Sequence, residues 1–369
     1  MPEARKLPYF ELKYTPMTVG QLILYPFSLL YGGIMAVRNR LYDAQQFRSE
    51  QFSLPVISIG NLTVGGTGKT PHVEYILRLL RGKKLATLSR GYQRQTKGYI
   101  LADATASAAT LGDEPYQYFQ DFPEVMVAVS ENRAVGIQQL LNDQPDLDAI
   151  ILDDAYQHRG VTPSLNILLT DYRRLFYQDL VLPAGRLREF PGGAARADVV
   201  IVTKCDPTLN AARKESICTA IYRAADRQIP VYFTRYDYGV PVNLSQSQEP
   251  APRILLVTAI ANPAPLVQYL QQAGYRILEH FRFPDHHRYT NLDLQKIYLA
   301  WQRYTGTGKV VVFTTRKDAT KLTDAAFGPF FAQMPFFYIP IKVTFVENQA
   351  NFDRLIINHL ATRSKPEFN

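Results

Sequence analysis

VISIGNLTVGGTGKT (residues 56–70) is the stretch that decides the fold of this 369-residue chain. Its first residues, Val56–Ile59, form a short apolar run that predicts a buried strand, and the pattern over residues 71–81 predicts a helix with proline in its first turn. Between them lies a glycine-rich loop that ends in Gly-Lys-Thr. In such a strand–loop–helix unit the N–H groups of the loop point at phosphate oxygens, and the helix N-terminus adds positive potential. The stretch therefore predicts a nucleotide-binding phosphate loop.

The side chains of this loop have predictable roles. The usual pattern is G-x-x-x-x-G-K-[ST], and the chain departs from it at the first position, which is Thr63. Lys69 is expected to reach the β and γ phosphates, and the Thr70 hydroxyl is expected to bind magnesium. The predicted nucleotide-binding residues are Thr63, Val64, Gly65, Gly66, Thr67, Gly68, Lys69 and Thr70.

An acidic strand end supplies the second half of such a site. Residues 150–154 read IILDD, so Asp153 and Asp154 follow a buried apolar run. In an open α/β sheet, ligands bind beyond the carboxyl ends of the strands. One of these carboxylates is therefore expected to hold magnesium, directly or through water.

A further strand end suggests a rival nucleotide. Residues 203–206 read TKCD, which resembles the guanine-recognition tetrapeptide of GTPases, usually N-K-x-D. GTPases also carry D-x-x-G at their second acidic motif, whereas Tyr156 and Gln157 stand three residues after Asp153 and Asp154. No glycine is in place there to sense the γ phosphate, which is evidence against a GTPase. A GTPase-type switch or metallochaperone is therefore only the alternative hypothesis.

Apolar runs alternate with helical patterns along the rest of the chain. This alternation predicts βαβ units and a mostly parallel sheet flanked by helices, an α/β fold of the P-loop NTPase type. A polar, proline-containing stretch interrupts the pattern, which then restarts as a second, smaller α/β unit. The predicted divisions are an N-terminal segment over residues 1–48, a P-loop nucleotide-binding domain over 49–242, a linker over 243–252 and the smaller domain over 253–369.

Composition excludes several classes of protein. The chain is 46% hydrophobic and 20% charged, which excludes a disordered chain, and it has only two cysteines, which excludes a disulfide scaffold and a four-cysteine zinc site. The net charge of +8 suits anionic partners. No motif that reads RNA or DNA is present, so nucleic acid is not an expected partner, and no obligate protein partner is evident.

The N-terminal segment has the character of a membrane anchor. Residues 17–37 carry no charge, and Arg38 and Arg40 follow at once. Pro26 is expected to kink or break a helix there, and the aromatic residues suit a lipid–water interface. An interfacial, non-spanning anchor is the main prediction, and a buried core helix and a true membrane span are the alternatives.

Several other polar motifs follow predicted strand ends or lie in turns. They are SRGY (89–92), GDEP (112–115, a predicted tight turn), DDAYQHR (153–159), LPAGRLRE (182–189), PDHH (284–287) and TRKDA (315–319). Together with the apolar N-terminus and the phosphate loop, their order and spacing resemble the tetraacyldisaccharide 4'-kinases of lipid A biosynthesis, the LpxK family, over nearly the whole chain. The family more often has Gly-Phe at positions 155 and 156, proline at 186 and glutamate at 316.

The resemblance implies an activity and roles for particular residues. It implies transfer of the γ phosphate of ATP to the 4'-hydroxyl of a tetraacyldisaccharide 1-phosphate, which forms lipid IVA, by a peripheral or monotopic enzyme at the cytoplasmic face of the inner membrane. Asp113 would be the general base, oriented by His286 across a domain cleft, and Lys69 and Arg188 would stabilise the phosphoryl charge. The implied magnesium ligands are Thr70, Glu114 and Asp154. The implied substrate-orienting residues are Arg90, Arg133, Gln157, His158 and Glu189.

Overall fold

Two β-sheets organise the chain in a computed structural model that describes residues 17–245, 249–322 and 327–362. The predicted N-terminal segment, the predicted linker and the predicted C-terminal domain each extend into residues outside those ranges. The elements of the first half are α1 (Val19–Asp43), β1 (Val56–Asn61), α2 (Lys69–Leu79), β2 (Leu85–Ser89), β3 (Ile100–Leu101), α3 (Ala108–Leu111), α4 (Asp113–Asp121), β4 (Met126–Val129), α5 (Arg133–Asp143), β5 (Ala149–Asp153) and β6 (Leu165–Asp171). Those of the second half are β7 (Val199–Thr203), α6 (Ala211–Ala225), β8 (Val231–Tyr238), β9 (Val242–Asn243), β10 (Arg253–Thr258), α7 (Ala264–Gln272), β11 (Arg276–Arg282), α8 (Asn291–Thr305), β12 (Val311–Thr315), α9 (Arg316–Leu322), α10 (Gly328–Gln333), β13 (Phe336–Ile339), β14 (Ile341–Phe345) and α11 (Gln349–Ala361).

The large sheet has nine strands in the order β14-β8-β7-β6-β1-β5-β2-β4-β3. Every pairing from β8 to β4 is parallel, and only the edge strands β3 and β14 run antiparallel to their neighbours. The strand β1 lies between β5 and β6, and all of its residues are buried because the sheet is covered on both faces. The predicted mostly parallel α/β sheet is confirmed. Its parallel strands bring the residues after β1, β5, β6 and β7 to one edge.

The small sheet has five strands in the order β11-β10-β12-β13-β9. Its central strands are parallel, and β9 pairs antiparallel with β13. A separate apolar cluster forms its core, in which α8 packs Leu294 and Ile297 beside Leu255 and Val312. A second, smaller α/β unit is therefore present, as predicted.

The C-terminal limit of that smaller unit differs from the prediction. Strand β14 pairs with β8 of the large sheet, and α11 places Phe352 and Ile356 in the same buried cluster as Val73 of α2. Residues 341–361 thus return to the large unit and do not belong to the smaller one, contrary to the range 253–369. An amphipathic pattern shows that a segment has a buried face, but not which sheet that face covers.

Helix α1 is continuous where a break was expected. It runs through Pro26 and is capped at its start by the Thr18 side chain, which accepts from the Gln21 N–H. Of the expected kink or break at Pro26, the break is excluded because the helix continues through this residue. Ser28 and Gly32 are the buried residues of α1: the Ser28 hydroxyl accepts from the Ala184 N–H, and Gly32 lies against the ring of Phe190.

Candidate active site

The phosphate loop lies between β1 and α2 and is held by its neighbours. The Val64 N–H donates to the Arg186 carbonyl at 2.8 Å, and the Thr203 hydroxyl donates to the Thr67 carbonyl at 2.8 Å. Gly68 ends the loop at a φ of +90°, where a Cβ would lie 1.9 Å from the Tyr236 hydroxyl. Only glycine meets both conditions, because other residues are strained at positive φ. Helix α2 then begins at Lys69, so its first N–H groups face the loop.

The carboxylate of Asp154 lies between two cationic side chains beside the loop. Lys69 Nζ is 3.6 Å from Oδ1, and the Arg188 guanidinium contacts both carboxylate oxygens at 3.0 and 3.3 Å. Burial alone would raise the pKa of Asp154, but Lys69 and Arg188 outweigh it and hold the pKa below its usual value. Asp154 has a φ of +49°, which is strained for a residue other than glycine and is typical of functional sites. The acidic strand end therefore lies beside the loop lysine, and its expected role as a magnesium ligand stays a prediction.

The neighbouring Asp153 is buried in a different environment. Its Oδ2 accepts from the Tyr118 hydroxyl at 3.0 Å, while its Oδ1 is buried with no hydrogen-bond partner among the described residues. Burial raises the pKa of Asp153 to about 7, against the charge of Lys69, and the charges of Asp154 and Glu114 raise it further. The pKa values of the two adjacent aspartates are thus shifted in opposite directions.

Helix α4 carries Asp113 to the edge of the site. The GDEP motif begins this helix and is not the tight turn that was predicted. Gly112 precedes the helix at a φ of +93°, and a Cβ there would lie 2.8 Å from the Tyr92 carbonyl. The SRGY and GDEP motifs therefore pack directly against each other.

The smaller unit supplies the partner of Asp113. His286 Nδ1 is 3.3 Å from Asp113 Oδ2, and the His286 ring meets the Tyr92 ring edge-on at 5.3 Å. His286 also has a φ of +60°, and its loop follows β11. The adjacent His287 faces away, with Nε2 3.0 Å from Asp293 and its ring stacked on Phe283.

Two lysines of α9 complete the surroundings of this pair. Lys317 Nζ is 3.0 Å from His286 Nε2, and Lys321 Nζ is 3.7 Å from Asp113 Oδ2. Burial by itself would raise the pKa of Asp113, but the His286 hydrogen bond and the charges of Lys321 and Lys317 hold it below its usual value. Asp113 is therefore ionised at neutral pH and able to accept a proton.

Comparison with known proteins identifies the family of the chain. The model of a family described as tetraacyldisaccharide-1-phosphate 4'-kinase, LpxK, matches residues 20–361. The chain belongs to the tetraacyldisaccharide 4'-kinase family. It is 44% identical over 361 residues to the tetraacyldisaccharide 4'-kinase of Parabacteroides distasonis, covering 93% of this chain and 95% of the relative. It is 42% identical over 356 residues to that of Flavobacterium johnsoniae, covering 95% of this chain and 100% of the relative.

A solved structure gives the same result for the fold. The crystal structure of LpxK from Aquifex aeolicus, described as an "apo" form in complex with ATP, matches with a TM-score of 0.73 and 29% sequence identity. The match covers 93% of this chain and 100% of the solved chain. The P-loop-type α/β fold expected for an LpxK kinase is thus shown, and the GTPase alternative finds no support.

Two predicted substrate residues of this LpxK member, Gln157 and Glu189, form one bonded cluster with Arg188. Gln157 donates to the Glu189 carboxylate at 3.1 Å and accepts from Arg188 at 3.1 Å. Glu189 is buried and also accepts from Arg196 at 2.8 Å. The cluster thus connects the predicted phosphoryl-binding Arg188 to Gln157 and Glu189, whose substrate roles stay predictions.

The other predicted substrate residues lie around the start of α5. Arg133 is buried; its side chain donates to the Ser130 carbonyl at 2.8 Å, and its N–H donates to His158 Nε2 at 3.1 Å. Burial first, and then the charges of Arg133, Arg38 and Arg90, lower the pKa of His158 to about 4, so this imidazole is neutral at pH 7. Arg90 is exposed near this group. The side chain best placed to meet an anion from solvent is therefore Arg90.

The predicted magnesium ligands offer oxygen donors near the loop. Glu114 follows Asp113 on α4, and its carboxylate is 3.4 Å from Lys317. The described residues contain no group of three or more histidine, cysteine, aspartate or glutamate side chains suited to a metal ion. Because magnesium in phosphoryl-transfer sites binds one or two carboxylates and completes its shell with phosphate and water, a hydroxyl with two carboxylates fits this ion. Thr70, Glu114 and Asp154 stay predicted ligands.

The TKCD tetrapeptide has a different partner from the one it suggests. Lys204 Nζ donates to Asp171 at 2.8 Å and to the Gly66 carbonyl. It thus joins the ends of β6 and β7 to the phosphate loop. In this structure, Lys204 is a structural support of the loop.

Sequence reasoning missed contributions from two places. It quoted the TRKDA motif but gave Lys317 no role, and it did not include Lys321, which follows the motif. It also treated α1 only as an anchor, whereas Arg38 donates to the Gln157 carbonyl at 3.1 Å and Asn39 donates to Glu189 at 2.6 Å. The TRKDA motif could have indicated a role for the lysines of α9, whereas nothing in the sequence indicated the contacts of α1.

Proposed function

We propose that the protein transfers the γ phosphate of ATP to the 4'-hydroxyl of a tetraacyldisaccharide 1-phosphate, as its family name describes. The observation that supports this most directly is the Asp113–His286 contact at 3.3 Å, on the same edge of the fold as the phosphate loop. A nucleotide site can transfer phosphate to a hydroxyl group when a residue able to accept the hydroxyl proton lies near the bound triphosphate. The family to which the chain belongs supports ATP as the phosphate donor.

The charged side chains beside the loop act on the phosphoryl group. Lys69 and Arg188 both lie within 3.6 Å of Asp154 beside the loop, which supports a shared role toward the γ phosphate. Phosphoryl transfer depends chiefly on positioning and on charge stabilisation, because little covalent chemistry is left to the protein. The proposed role of both residues is to neutralise charge on the transferred group.

Asp113 is proposed to accept the proton of the 4'-hydroxyl. Its Oδ2 faces His286 and Lys321, and no described residue donates a hydrogen bond to its Oδ1. A carboxylate with a lowered pKa is a weak base, so the proton moves late, when the bond to phosphorus is largely formed and the hydroxyl is acidic. This order suits the loose transition state of phosphoryl transfer.

Magnesium is the proposed metal of the site. Thr70, Glu114 and Asp154 would hold it, directly or through water. When bound, it would neutralise charge on the phosphate oxygens and orient the phosphate group. Asp153 Oδ1, which is buried with no hydrogen-bond partner among the described residues, is a further oxygen next to the proposed ligand Asp154.

Membrane contact is proposed to come from α1. The described part of the chain has one helix that is long and apolar enough to cross a membrane, and it lies near the N-terminus. Most of its apolar side chains are exposed, including Leu22, Ile23, Leu30 and Ile34, so the alternative of a buried core helix is wrong. Because Ser28 and Gly32 of the same helix pack on the protein, an interfacial position fits better than a free span.

The lipid partner accounts for this anchor. Each methylene moved out of the bilayer costs about 0.8 kcal/mol, so a substrate with four acyl chains stays in the membrane and the enzyme has to approach it. Catalysis at the cytoplasmic face of the inner membrane is part of the proposal, because ATP is the expected donor.

The decisive test supplies the full-length protein with ATP, magnesium and tetraacyldisaccharide 1-phosphate in detergent micelles. Mass spectrometry should show one added phosphate, located at the 4' position by fragmentation. Asp113→Asn and Lys69→Met should each lose most of this activity, and Lys296→Met should keep it because Lys296 is exposed on α8. Absence of product with the wild-type protein, or selective use of GTP, would overturn the proposal.

A further inference from the structure

Lys317 of α9 touches the opposite side of the His286 ring from Asp113. Its Nζ is 3.0 Å from His286 Nε2, while His286 Nδ1 is 3.3 Å from Asp113 Oδ2. The three side chains thus form a line from the smaller unit into the larger one. The TRKDA motif that contains Lys317 has no role in the function proposed so far.

The chemistry of lysine decides which ring nitrogen carries the proton. An ammonium group has three donors and no acceptor, so a hydrogen bond to an imidazole nitrogen requires a lone pair on that nitrogen. His286 Nε2 must then be unprotonated, and the proton of the neutral ring lies on Nδ1. That N–H points at Asp113 Oδ2 and donates to it.

The other neighbours of the ring do not favour the opposite tautomer. Asp285 Oδ2 is 3.9 Å from His286 Nε2, which is beyond hydrogen-bond distance, and Asp285 lies 3.6 Å from Lys317. Tyr92 meets the ring by its edge at 5.3 Å. With Lys317 removed, Asp285 becomes the nearest charged group to Nε2, and the proton can move to that side.

Lys317 is itself firmly placed. Its Nζ also lies 3.4 Å from Glu114, and its side chain is 23% exposed. One residue before it, Arg316 binds Asp121 at the far end of α4, so α9 is fixed against the helix that begins with Asp113. The position of the ammonium group is therefore set by both units.

We propose that Lys317 is a positioning residue that fixes the tautomer of His286, so that the Nδ1–H bond holds Asp113 Oδ2 and leaves Oδ1 turned to the acceptor hydroxyl. This inference rests on the proposed kinase function for its consequence, but the tautomer itself is a property of the protein without substrate. Histidine elsewhere is oriented in this way by the group that bonds its second nitrogen.

The test measures the tautomer directly. The full-length protein in detergent micelles, labelled with 15N-histidine, gives long-range 1H–15N spectra of its six imidazoles, and the His286 signals are assigned by their loss in His286→Asn. In the wild type, Nδ1 should resonate as a protonated nitrogen and Nε2 as an unprotonated one. In Lys317→Met, Nε2 should gain protonated character, and Lys317→Arg, which keeps a donor, should restore the wild-type pattern.

Kinetics then connect the tautomer to the reaction. General base catalysis contributes about 10²–10⁴-fold, so a misplaced base in Lys317→Met should lower kcat by about 10-fold or more while KM for the lipid changes little. Lys296→Met is the matched control for loss of one lysine in the same unit and should match the wild type in both spectra and rates.

The outcomes separate this inference from the proposed function. A wild-type spectrum with the proton on Nε2, or an unchanged His286 pattern in Lys317→Met, would overturn the role of Lys317 even if the enzyme phosphorylates the lipid. A wild-type protein that shows the expected tautomer but forms no product would overturn the proposed function and leave the assignment of the proton standing.

Discussion

The contact between Arg316 and Asp121 joins the two units and can be broken by one substitution. Arg316 donates to Asp121 through Nε at 3.0 Å and through its terminal nitrogen at 2.6 Å, and the same nitrogen donates to Gln120 at 3.0 Å. Its guanidinium also lies 5.1 Å from the centre of the Tyr338 ring.

The free energy of the Arg316–Asp121 contact can be estimated from these distances and from the exposure of the two side chains. Hydrogen bonds between charged groups contribute about 1.5–3 kcal/mol, and the side chains here are 15% and 26% exposed, so we take about 2 kcal/mol after screening by solvent. That free energy corresponds to a factor of about 30 in the equilibrium that holds α9 against α4. Because Asp113 begins α4 and Lys317 lies on α9, Arg316→Ala should lower kcat by up to about 30-fold.

The assay is steady-state turnover with ATP and the tetraacyl lipid in mixed micelles, arranged as a double-mutant cycle. Arg316→Ala, Asp121→Ala and the double variant should show similar losses, since each removes the same contact. Arg303→Ala is the control, because Arg303 forms a 2.6 Å ion pair with Glu279 inside the smaller unit. Losses that simply add, or an equal loss in the control, would show that the contact does not position the site.

Three further predictions test other parts of the structure. Gly68→Ala should reduce the free energy of unfolding, measured by urea denaturation, by about 2–4 kcal/mol, because positive φ costs about 1–3 kcal/mol and the new Cβ meets Tyr236. Gly66→Ala is the control and should reduce it far less, since a Cβ there has no atom within 4 Å. Equal losses in the two variants would contradict this prediction. His286→Ala should lower kcat strongly and His287→Ala weakly, and equal losses would mean that the histidine facing Asp113 is not special. Burial lowers the pKa of His72 to about 4 from 6.5, so the neutral form stabilises the fold above pH 6.5 and this contribution is lost as the pH falls toward 4. The loss of unfolding free energy between pH 7 and pH 4 should therefore be smaller in His72→Gln, by up to about 3 kcal/mol, and an equal loss would refute the assignment.

Local chemistry made the nucleotide half of the site predictable. The phosphate loop needs glycine, lysine and threonine at fixed spacing after a strand, so the predicted order of strand, loop and helix is observed, although β1 continues to Asn61 and α2 begins at Lys69, two residues before the predicted start. The acidic end of β5 could be predicted for a similar reason, since a carboxylate after a buried strand faces the ligand edge of a parallel sheet.

Other features of the fold and the site could not be predicted, because they depend on contacts between residues distant in the sequence. The GDEP motif has the composition of a turn but also that of a helix start, where acidic residues and proline are favoured in the first turn, and the structure has the helix. Strand β14 could pair with either sheet, and its local sequence does not show that it joins the large one. The position of Lys317 against His286 likewise depends on how α9 meets α4.

Helix α1 has its last turns at the site and its apolar residues just before them. Asn39 bonds Glu189, and Ile34, five residues earlier, is exposed. At 1.5 Å per residue these two positions are about 7.5 Å apart along the axis. Because α1 is one continuous helix, it holds this exposed apolar turn at a fixed distance from the Glu189 cluster, and a displacement of that turn is passed directly to Asn39 and Glu189.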